Sequence, residues 1–113
     1  MVVPDVEFCY LTTTGRVSGR PHEIEIWYGV EGRTIFMLSG GGERSDWVRN
    51  LLAEPSVSVR IDGVEHTGSA RRVTDPGEDD LARRLLAAKY QGWRDGGRMS
   101  DWARTALAIA VDL

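Results

Sequence analysis

The sequence predicts a mainly β protein, an antiparallel sheet or barrel of about six strands with two helices packed outside it. Apolar residues follow strand patterns in about six segments, and most of these segments are joined by connections of hairpin length. Because strands and helices do not alternate along the chain, the pattern argues against a doubly wound parallel sheet. The 113 residues fit one domain, so residues 1–113 are expected to form a single unit.

Three strands are predicted near the N-terminus, at residues 6–14, 22–30 and 33–39. The second alternates apolar and polar residues, whereas the third contains a continuous apolar run and is expected to be central. Two glycines and a serine break the pattern over residues 15–19, which indicates a turn. Glu31-Gly32 predicts a short hairpin connection between the second and third strands.

A helix is predicted after the third strand. Ser45 is placed as its N-cap, and apolar residues spaced four apart form one face until Pro55 stops the helix. The alternating residues 57–61 then predict a half-exposed strand. Asp62-Gly63 predicts a hairpin that returns through a polar strand at residues 64–73.

The second helix is predicted after Asp75, which starts a capping box with Pro76 at the first helical position and Glu78 three residues on. The apolar residues expected on its buried face are Leu81, Leu85 and Ala88. Residues 91–100 are glycine-rich and are expected to be irregular, and residues 105–113 are predicted to close the chain as a strand.

Composition excludes several classes of protein. Hydrophobic residues make up 42% and charged residues 27%, and the sequence contains neither a long apolar run nor a secretory signal. We therefore expect a cytoplasmic protein with no membrane partner. The net charge of −3 argues against nucleic acid as a partner. The single cysteine, together with the absence of HExxH and CxxC motifs, argues against a metal site.

The segment 11–22 is locally basic. It carries Arg16 and Arg20 among hydroxyl residues that include Ser18, with Gly19 between them, and it has no carboxylate. Arginine forks, hydroxyls and a glycine turn that exposes backbone N–H groups together suit a phosphate. The alternative is a polar hairpin that carries arginines and binds nothing.

A glycine run follows the third strand. Gly40, Gly41 and Gly42 lie between Ser39 and the predicted first helix, where free backbone N–H groups gather and a flat ligand can approach closely. A flexible loop without a ligand is the alternative. Tyr90, Trp93 and Trp102 form an aromatic set that would either line a substrate pocket or cover the end of the barrel.

The segments together resemble a known family. They read Leu-Thr-Thr-Thr-Gly-Arg-Val-Ser-Gly-Arg-Pro at 11–21, Ser-Gly-Gly-Gly at 39–42, Asp-Trp-x-x-Asn-Leu at 46–51 and Glu-Pro at 54–55. In this order they are similar to the deazaflavin-dependent nitroreductases, within the split β-barrel group that includes flavin-binding pyridoxamine-phosphate-oxidase-like proteins. The resemblance implies a split β-barrel of about six antiparallel strands with two helices.

The resemblance also implies a cofactor, coenzyme F-420, which is a deazaflavin with a phosphate and a polyglutamate tail. Carried over by motif, Arg16, Ser18, Gly19 and Arg20 would hold the phosphate or the carboxylates of the tail. Three departures each remove positive charge from this region: Val17 stands where the family often has lysine, Gly40 where it has a basic residue, and His22 where it favours arginine. FMN is therefore kept as the alternative cofactor.

The same resemblance assigns the ring and substrate sites. Residues 39–42 would lie along the deazaflavin ring, with Ser39 near the reacting end as the catalytic residue. Asp46 and Trp47 would begin the helix that borders the ring, and Tyr90 and Trp93 would fall near the substrate pocket.

The activity implied is a reductase that passes a hydride from the reduced deazaflavin to a small activated alkene, quinone or nitro compound. The alternatives are an FMN-dependent oxidoreductase of the same barrel group and a cofactor-binding protein without catalysis. A homodimer is expected, because one small barrel leaves little wall to enclose a three-ring cofactor.

Overall fold

The computed structural model describes residues 3–113 and contains a seven-stranded antiparallel sheet, with the strand order β2-β1-β5-β6-β7-β4-β3. The strands are β1 (Cys9–Thr14), β2 (Pro21–Ile26), β3 (Gly29–Glu31), β4 (Thr34–Ser39), β5 (Ser56–Ile61), β6 (Val64–Arg72) and β7 (Leu107–Asp112). The helices are α1 (Asp46–Ala53), α2 (Pro76–Gln91) and α3 (Asp101–Thr105), and a 3-10 turn spans Gly42–Arg44. The predicted fold class, mainly β with peripheral helices, is confirmed. No helix within residues 3–113 is long and apolar enough to cross a membrane.

The sheet curls into a barrel with one open seam. β2 and β3 lie at opposite edges of the sheet although only two residues, Trp27 and Tyr28, separate them in the chain. The single strand predicted at residues 22–30 is therefore wrong. At the break, the backbone N–H and C=O of Tyr28 bond to the hydroxyl of Tyr90, at 3.0 and 3.1 Å, instead of to a neighbouring strand.

β7 is buried on both faces and separates two apolar clusters. Ile109 and Val111 pack inside the barrel, whereas Ala108 and Ala110 face α2. These small side chains let the helix approach the sheet closely, and the helix buries Ala82, Leu86 and Ala87 against them. The predicted buried face of α2 is thus rotated: Leu81 and Leu85 are only half-buried at its edge, and Ala88 is exposed.

The C-terminal region contains a helix that the sequence did not predict. α3 starts at Ser100, whose hydroxyl accepts a hydrogen bond from the N–H of Ala103 at 3.2 Å, and it delays the last strand to Leu107. The cap of α2 is as predicted, with the Asp75 carboxylate accepting from the N–H of Glu78 at 2.8 Å. The Glu78 side chain does not complete the box, because it pairs with Arg71 on β6.

Candidate functional site

The loop between β1 and β2 and the start of α1 form one small pocket, which we call the Arg16 pocket. Its volume is about 260 Å³. Its lining residues are Gly15, Arg16, Val17, Ser18, His22, Asp46 and Asn50. The structure therefore brings together Arg16, Ser18 and Asp46, which come from two separate motifs of the sequence.

Arg16 is held against α1 by three contacts. Its backbone N–H and Nη1 both donate to Oδ1 of Asn50, at 3.2 and 2.8 Å, and its Nη2 lies 3.1 Å from Oδ1 of Asp46. Asn50 is itself only 4% exposed, and its Nδ2 donates to Oγ1 of Thr13 on β1 at 3.2 Å. The amide of Asn50 thus fixes both the backbone and the side chain of Arg16.

The rest of the loop is built around Ser18. Its Oγ accepts from the N–H of Arg20 at 3.1 Å and lies 3.4 Å from Nε2 of His22. Gly19 has a φ of +72°, which allows the tight return of the chain. Arg20 is exposed and does not line the pocket. His22 and Asn50 were not assigned roles from the sequence. The signal that singles out Asn50 is its polar amide between the apolar positions of α1.

The glycine loop is tied to α1 by two serines. Ser39 is 2% exposed, and its Oγ donates to the carbonyl of Gly42 at 3.0 Å and lies 2.9 Å from Oγ of Ser45. Because the Ser45 hydroxyl bonds there, it does not cap the helix, and α1 begins without a side-chain cap. A Cβ on Gly41 would come within 2.5 Å of that hydroxyl, so a side chain at this position would force the Ser45 hydroxyl to rotate away.

The glycine loop lies between a cavity lined by charged side chains and a groove lined by aromatic ones. On one side Gly40, Gly41 and Gly42 line a cavity of about 850 Å³ together with Arg72 and Arg83. Each of these arginines is paired with a carboxylate, Arg72 with Glu43 and Arg83 with Asp79. Trp47, the second residue of α1, packs against the barrel core.

On the other side an aromatic groove of about 390 Å³ opens beside the loop. We define this aromatic groove by its lining residues Phe8, Glu25, Ile26, Trp27, Leu38, Gln91 and Trp102. Trp102 lies edge-on to Trp27, with ring centroids 5.5 Å apart, and its Cδ1 would be 3.4 Å from a Cβ placed on Gly40. The groove and the glycine loop are therefore neighbours.

The two residues predicted for a substrate pocket, Tyr90 and Trp93, do not line this groove. The ring of Tyr90 stacks on that of Trp27, with ring centroids 4.4 Å apart. The Tyr90 hydroxyl donates to the carbonyl of Glu7 at 2.7 Å. Burial raises the pKa of Tyr90, so this hydroxyl stays protonated. Trp93 lines a different cavity, between α2 and β3, and its Nε1 donates to the carbonyl of Gly97.

A comparison with known protein families matches residues 2–113 to one described as F420H(2)-dependent quinone reductase. The chain belongs to this family. It is therefore an oxidoreductase whose cofactor is coenzyme F-420, which confirms the enzyme and the cofactor expected from the sequence motifs. Across residues 3–113, no cluster of three or more metal-ligating side chains is present.

Solved structures support the split-barrel fold. A structure of an F420-H2 dependent reductase is 22% identical, with a TM-score of 0.75, and the match covers 99% of each chain. A structure described as a domain-swapped dimer is 23% identical over 98% of this chain and 84% of its own, with a TM-score of 0.74. A protein from Listeria innocua assigned as a pyridoxamine 5'-phosphate oxidase is 18% identical over 94% of this chain and 82% of its own, with a TM-score of 0.67.

Proposed function

We propose that this F-420-dependent reductase transfers a hydride to a flat, apolar acceptor, with a quinone as the preferred class. The observation that carries the proposal is the aromatic groove beside Gly40, which is lined by the aromatic side chains of Phe8, Trp27 and Trp102. Flat conjugated molecules bind well between such side chains. Activated alkenes and nitro compounds are the other candidate acceptors.

The Arg16 pocket fits the anionic tail of the cofactor. A cavity of about 260 Å³ takes a group the size of a phosphate, and the Arg16 guanidinium and the Ser18 hydroxyl supply donors there. Arg20 is exposed at the adjacent turn after Gly19, where its guanidinium can meet the carboxylates of a longer tail. We assign these residues to tail binding.

The glycine loop fits the ring. Residues 40–42 present backbone without side chains, and α1 begins without a side-chain cap, so its first N–H groups are open to an acceptor atom of a ligand. We assign Gly40, Gly41 and Gly42 to one face of the ring and the start of α1, Asp46 and Trp47, to its border.

When bound, the reduced deazaflavin supplies a hydride, a two-electron unit, so the chain needs no nucleophile of its own. The protein orients the two reactants, and the indoles of Trp27 and Trp102 keep water away from them. Ser39 was predicted as the catalytic residue. Because its hydroxyl already donates to the Gly42 carbonyl, we propose that it holds the loop while a loop N–H meets the developing charge.

A titration tests the cofactor assignment. We expect F-420 to bind more tightly than FMN to the wild-type protein, and the double variant Arg16→Ala/Arg20→Ala to weaken F-420 binding at least about tenfold, because two charge-assisted contacts are lost. The matched control Arg33→Ala/Arg94→Ala removes the same charge from exposed positions outside the pocket and should bind as the wild type does. Unchanged affinity in the first variant would refute the tail assignment.

An acceptor panel tests the reaction. Reduced F-420 is mixed with the protein and a naphthoquinone, a nitroarene or a cyclic enone, and its oxidation is followed by absorbance. The quinone should react fastest. Binding of the cofactor without turnover of any acceptor would favour a non-catalytic binding protein, and a tightly bound yellow flavin in the purified protein would favour the FMN alternative.

We further propose a homodimer, in which a second copy supplies wall that one barrel lacks. The aromatic groove is open, and its β2 side lies at a sheet edge, which supports a partner there. Light scattering on the purified protein should give twice the mass of one chain, and the mass of a monomer would contradict the proposal.

A further inference from the structure

A carboxylate stands in the Arg16 pocket, where the proposed ligand is itself an anion. Oδ1 of Asp46 lies 3.1 Å from Nη2 of Arg16, and the Asp46 side chain is 84% exposed. Asp46 is the first residue of α1, so its backbone is fixed by the helix while its side chain reaches across to the loop. The pocket thus contains one cation and one anion in contact.

Asn50 keeps the guanidinium beside this carboxylate. Its Oδ1 accepts from both the backbone N–H and Nη1 of Arg16, and its burial prevents it from moving aside. The Arg16 side chain is 30% exposed, so a ligand reaches only part of it. An anion that binds this arginine must either displace Asp46 from Nη2 or lie next to its negative charge.

The other residues that line the pocket do not offset this opposition, and Arg20 lies outside the pocket at the adjacent turn. Val17, at 92% exposure, carries no charge, and the remaining lining residues of the pocket are Gly15, Ser18, His22 and Asn50. An anion therefore meets a pocket whose fixed charges, Arg16 and Asp46, cancel. Every additional negative charge on the ligand increases the repulsion from Asp46.

We propose that Asp46 is a specificity-determining residue of the cofactor site, which weakens the binding of the anionic tail by holding the Arg16 guanidinium. The proposal rests on the tail assignment made above and adds to it the residue that opposes the tail. Its consequence is a preference for cofactor forms with fewer charges in the tail. The alternative is a purely structural role, in which the Asp46 carboxylate stabilises α1 by lying at the positive end of the helix dipole. Such a role would affect the binding of all ligands equally.

The variant Asp46→Asn separates these roles, since an amide oxygen still accepts from Arg16 but carries no charge. At low ionic strength, we expect F-420 to bind about two- to fivefold more tightly to this variant, the range for an exposed ion pair. A deazaflavin alcohol without phosphate or glutamates should bind the variant and the wild type equally. Added salt should remove the difference for F-420.

Asp62→Asn is the matched control. It removes the same charge at the hairpin between β5 and β6, and its φ of +50° suits asparagine. The strand register puts this hairpin beyond the Phe8 end of β1, whereas Arg16 follows the opposite end. F-420 affinity should not change in the control. In an Arg16→Ala background, the gain from Asp46→Asn should be smaller, because the competition for the guanidinium is lost and only the repulsion between the carboxylate and the tail remains.

Two results would overturn the proposal. One is weaker binding of both ligands by Asp46→Asn with an unchanged melting temperature, which would show that the Asp46 carboxylate favours ring binding and does not oppose the tail. The other is no change for either ligand. If the wild type binds no F-420, the proposed function fails. The role of Asp46 is then tested by titration with inorganic pyrophosphate, followed by NMR at Ser18 and His22. Tighter pyrophosphate binding by Asp46→Asn than by the wild type supports competition at Arg16, and equal binding refutes it.

Discussion

The Tyr90 hydroxyl joins parts of the chain that are far apart in sequence. It accepts from the N–H of Tyr28 and donates to the carbonyl of Glu7, while Nζ of Lys89 donates to the Tyr28 carbonyl at 3.2 Å and lies 3.7 Å from the Tyr28 ring centroid. These contacts satisfy the backbone N–H and C=O of Tyr28 and the carbonyl of Glu7, close to where the chain crosses from one edge of the sheet to the other. Two neighbouring side chains of α2, Lys89 and Tyr90, therefore hold the seam of the barrel.

We expect Tyr90→Phe to destabilise the protein by about 1–3 kcal/mol, because the stack on Trp27 remains but partly buried backbone groups lose their partner. Urea unfolding followed by tryptophan fluorescence measures this. Tyr10→Phe is the matched control, since its hydroxyl bonds to the exposed Glu25, and it should change stability by less than about 0.5 kcal/mol. Equal effects of the two variants would contradict a special role for Tyr90.

At the residue scale, the sequence shows which side chains can bind an anion better than it shows which residues those side chains contact. Arg16 and Ser18 were predicted at one anion site from their types and spacing, and they do line one pocket. The bond from Asn50 to Arg16 spans 34 positions in the chain, so no local pattern reveals it. Tyr90 was read as a pocket residue because the sequence does not show that backbone groups engage its hydroxyl.

At the scale of elements, a single arginine joins β6, α2 and β7. Arg71 donates to both carboxylate oxygens of Glu78 at the start of α2, at 2.6 and 2.8 Å, and to those of Asp112 at the end of β7, at 2.7 and 3.2 Å. Hydrogen bonds from Arg71 lower the pKa of Glu78 and, with a further bond from Thr34, that of Asp112. The joint fixes the start of α2 against the sheet.

This joint predicts a loss of stability in acid. Because the pKa values of Glu78 and Asp112 are lower in the folded protein, their contribution is present above their unfolded pKa values and disappears as the pH falls through the folded ones. The stability difference between wild type and Glu78→Gln should therefore shrink between about pH 6 and pH 3. Urea titrations across this range measure it.

The control for this measurement is Glu65→Gln, which changes a carboxylate six positions along β6 from Arg71 and outside the joint. A difference from wild type that stays constant with pH in Glu78→Gln would show that the Arg71 contacts add no pH-dependent stability.

The elements themselves were largely predictable. Hairpin signals such as Asp62-Gly63 and the cap at Asp75 lie within a few residues of the structure they cause, and both were located correctly. The buried face of α2 was not predicted correctly, because apolar residues lie on both sides of that helix. The small alanines of β7 decide which side packs against the sheet. α3 was missed because five residues give too short a pattern.

At the scale of the whole molecule, the rate at which Cys9 reacts with a thiol reagent measures how often the barrel opens. Cys9 lies on β1 inside the barrel and is fully buried, and burial raises its pKa to about 12. We expect a thiol reagent at pH 8 to label it only as fast as the barrel opens, because the reactive thiolate is suppressed in the fold.

Val17→Cys provides an internal standard, since position 17 is exposed and its thiol should react at once while Cys9 remains slow. The two rates are read by mass spectrometry over time. Labelling of Cys9 at the rate of the exposed thiol would contradict a closed barrel interior.

The sequence by itself determined the antiparallel class, most strand positions and the positions of the turn around Arg16 and of the glycine loop, because each depends on residues close together in the chain. Its motifs also pointed to the cofactor of the family. Only the tertiary structure decided that residues 22–30 cross the barrel seam, that Trp27 and Trp102 line a groove beside Gly40, and that Asp46 pairs with Arg16. These depend on curling of the sheet, which brings distant segments into contact in a way that no local pattern encodes.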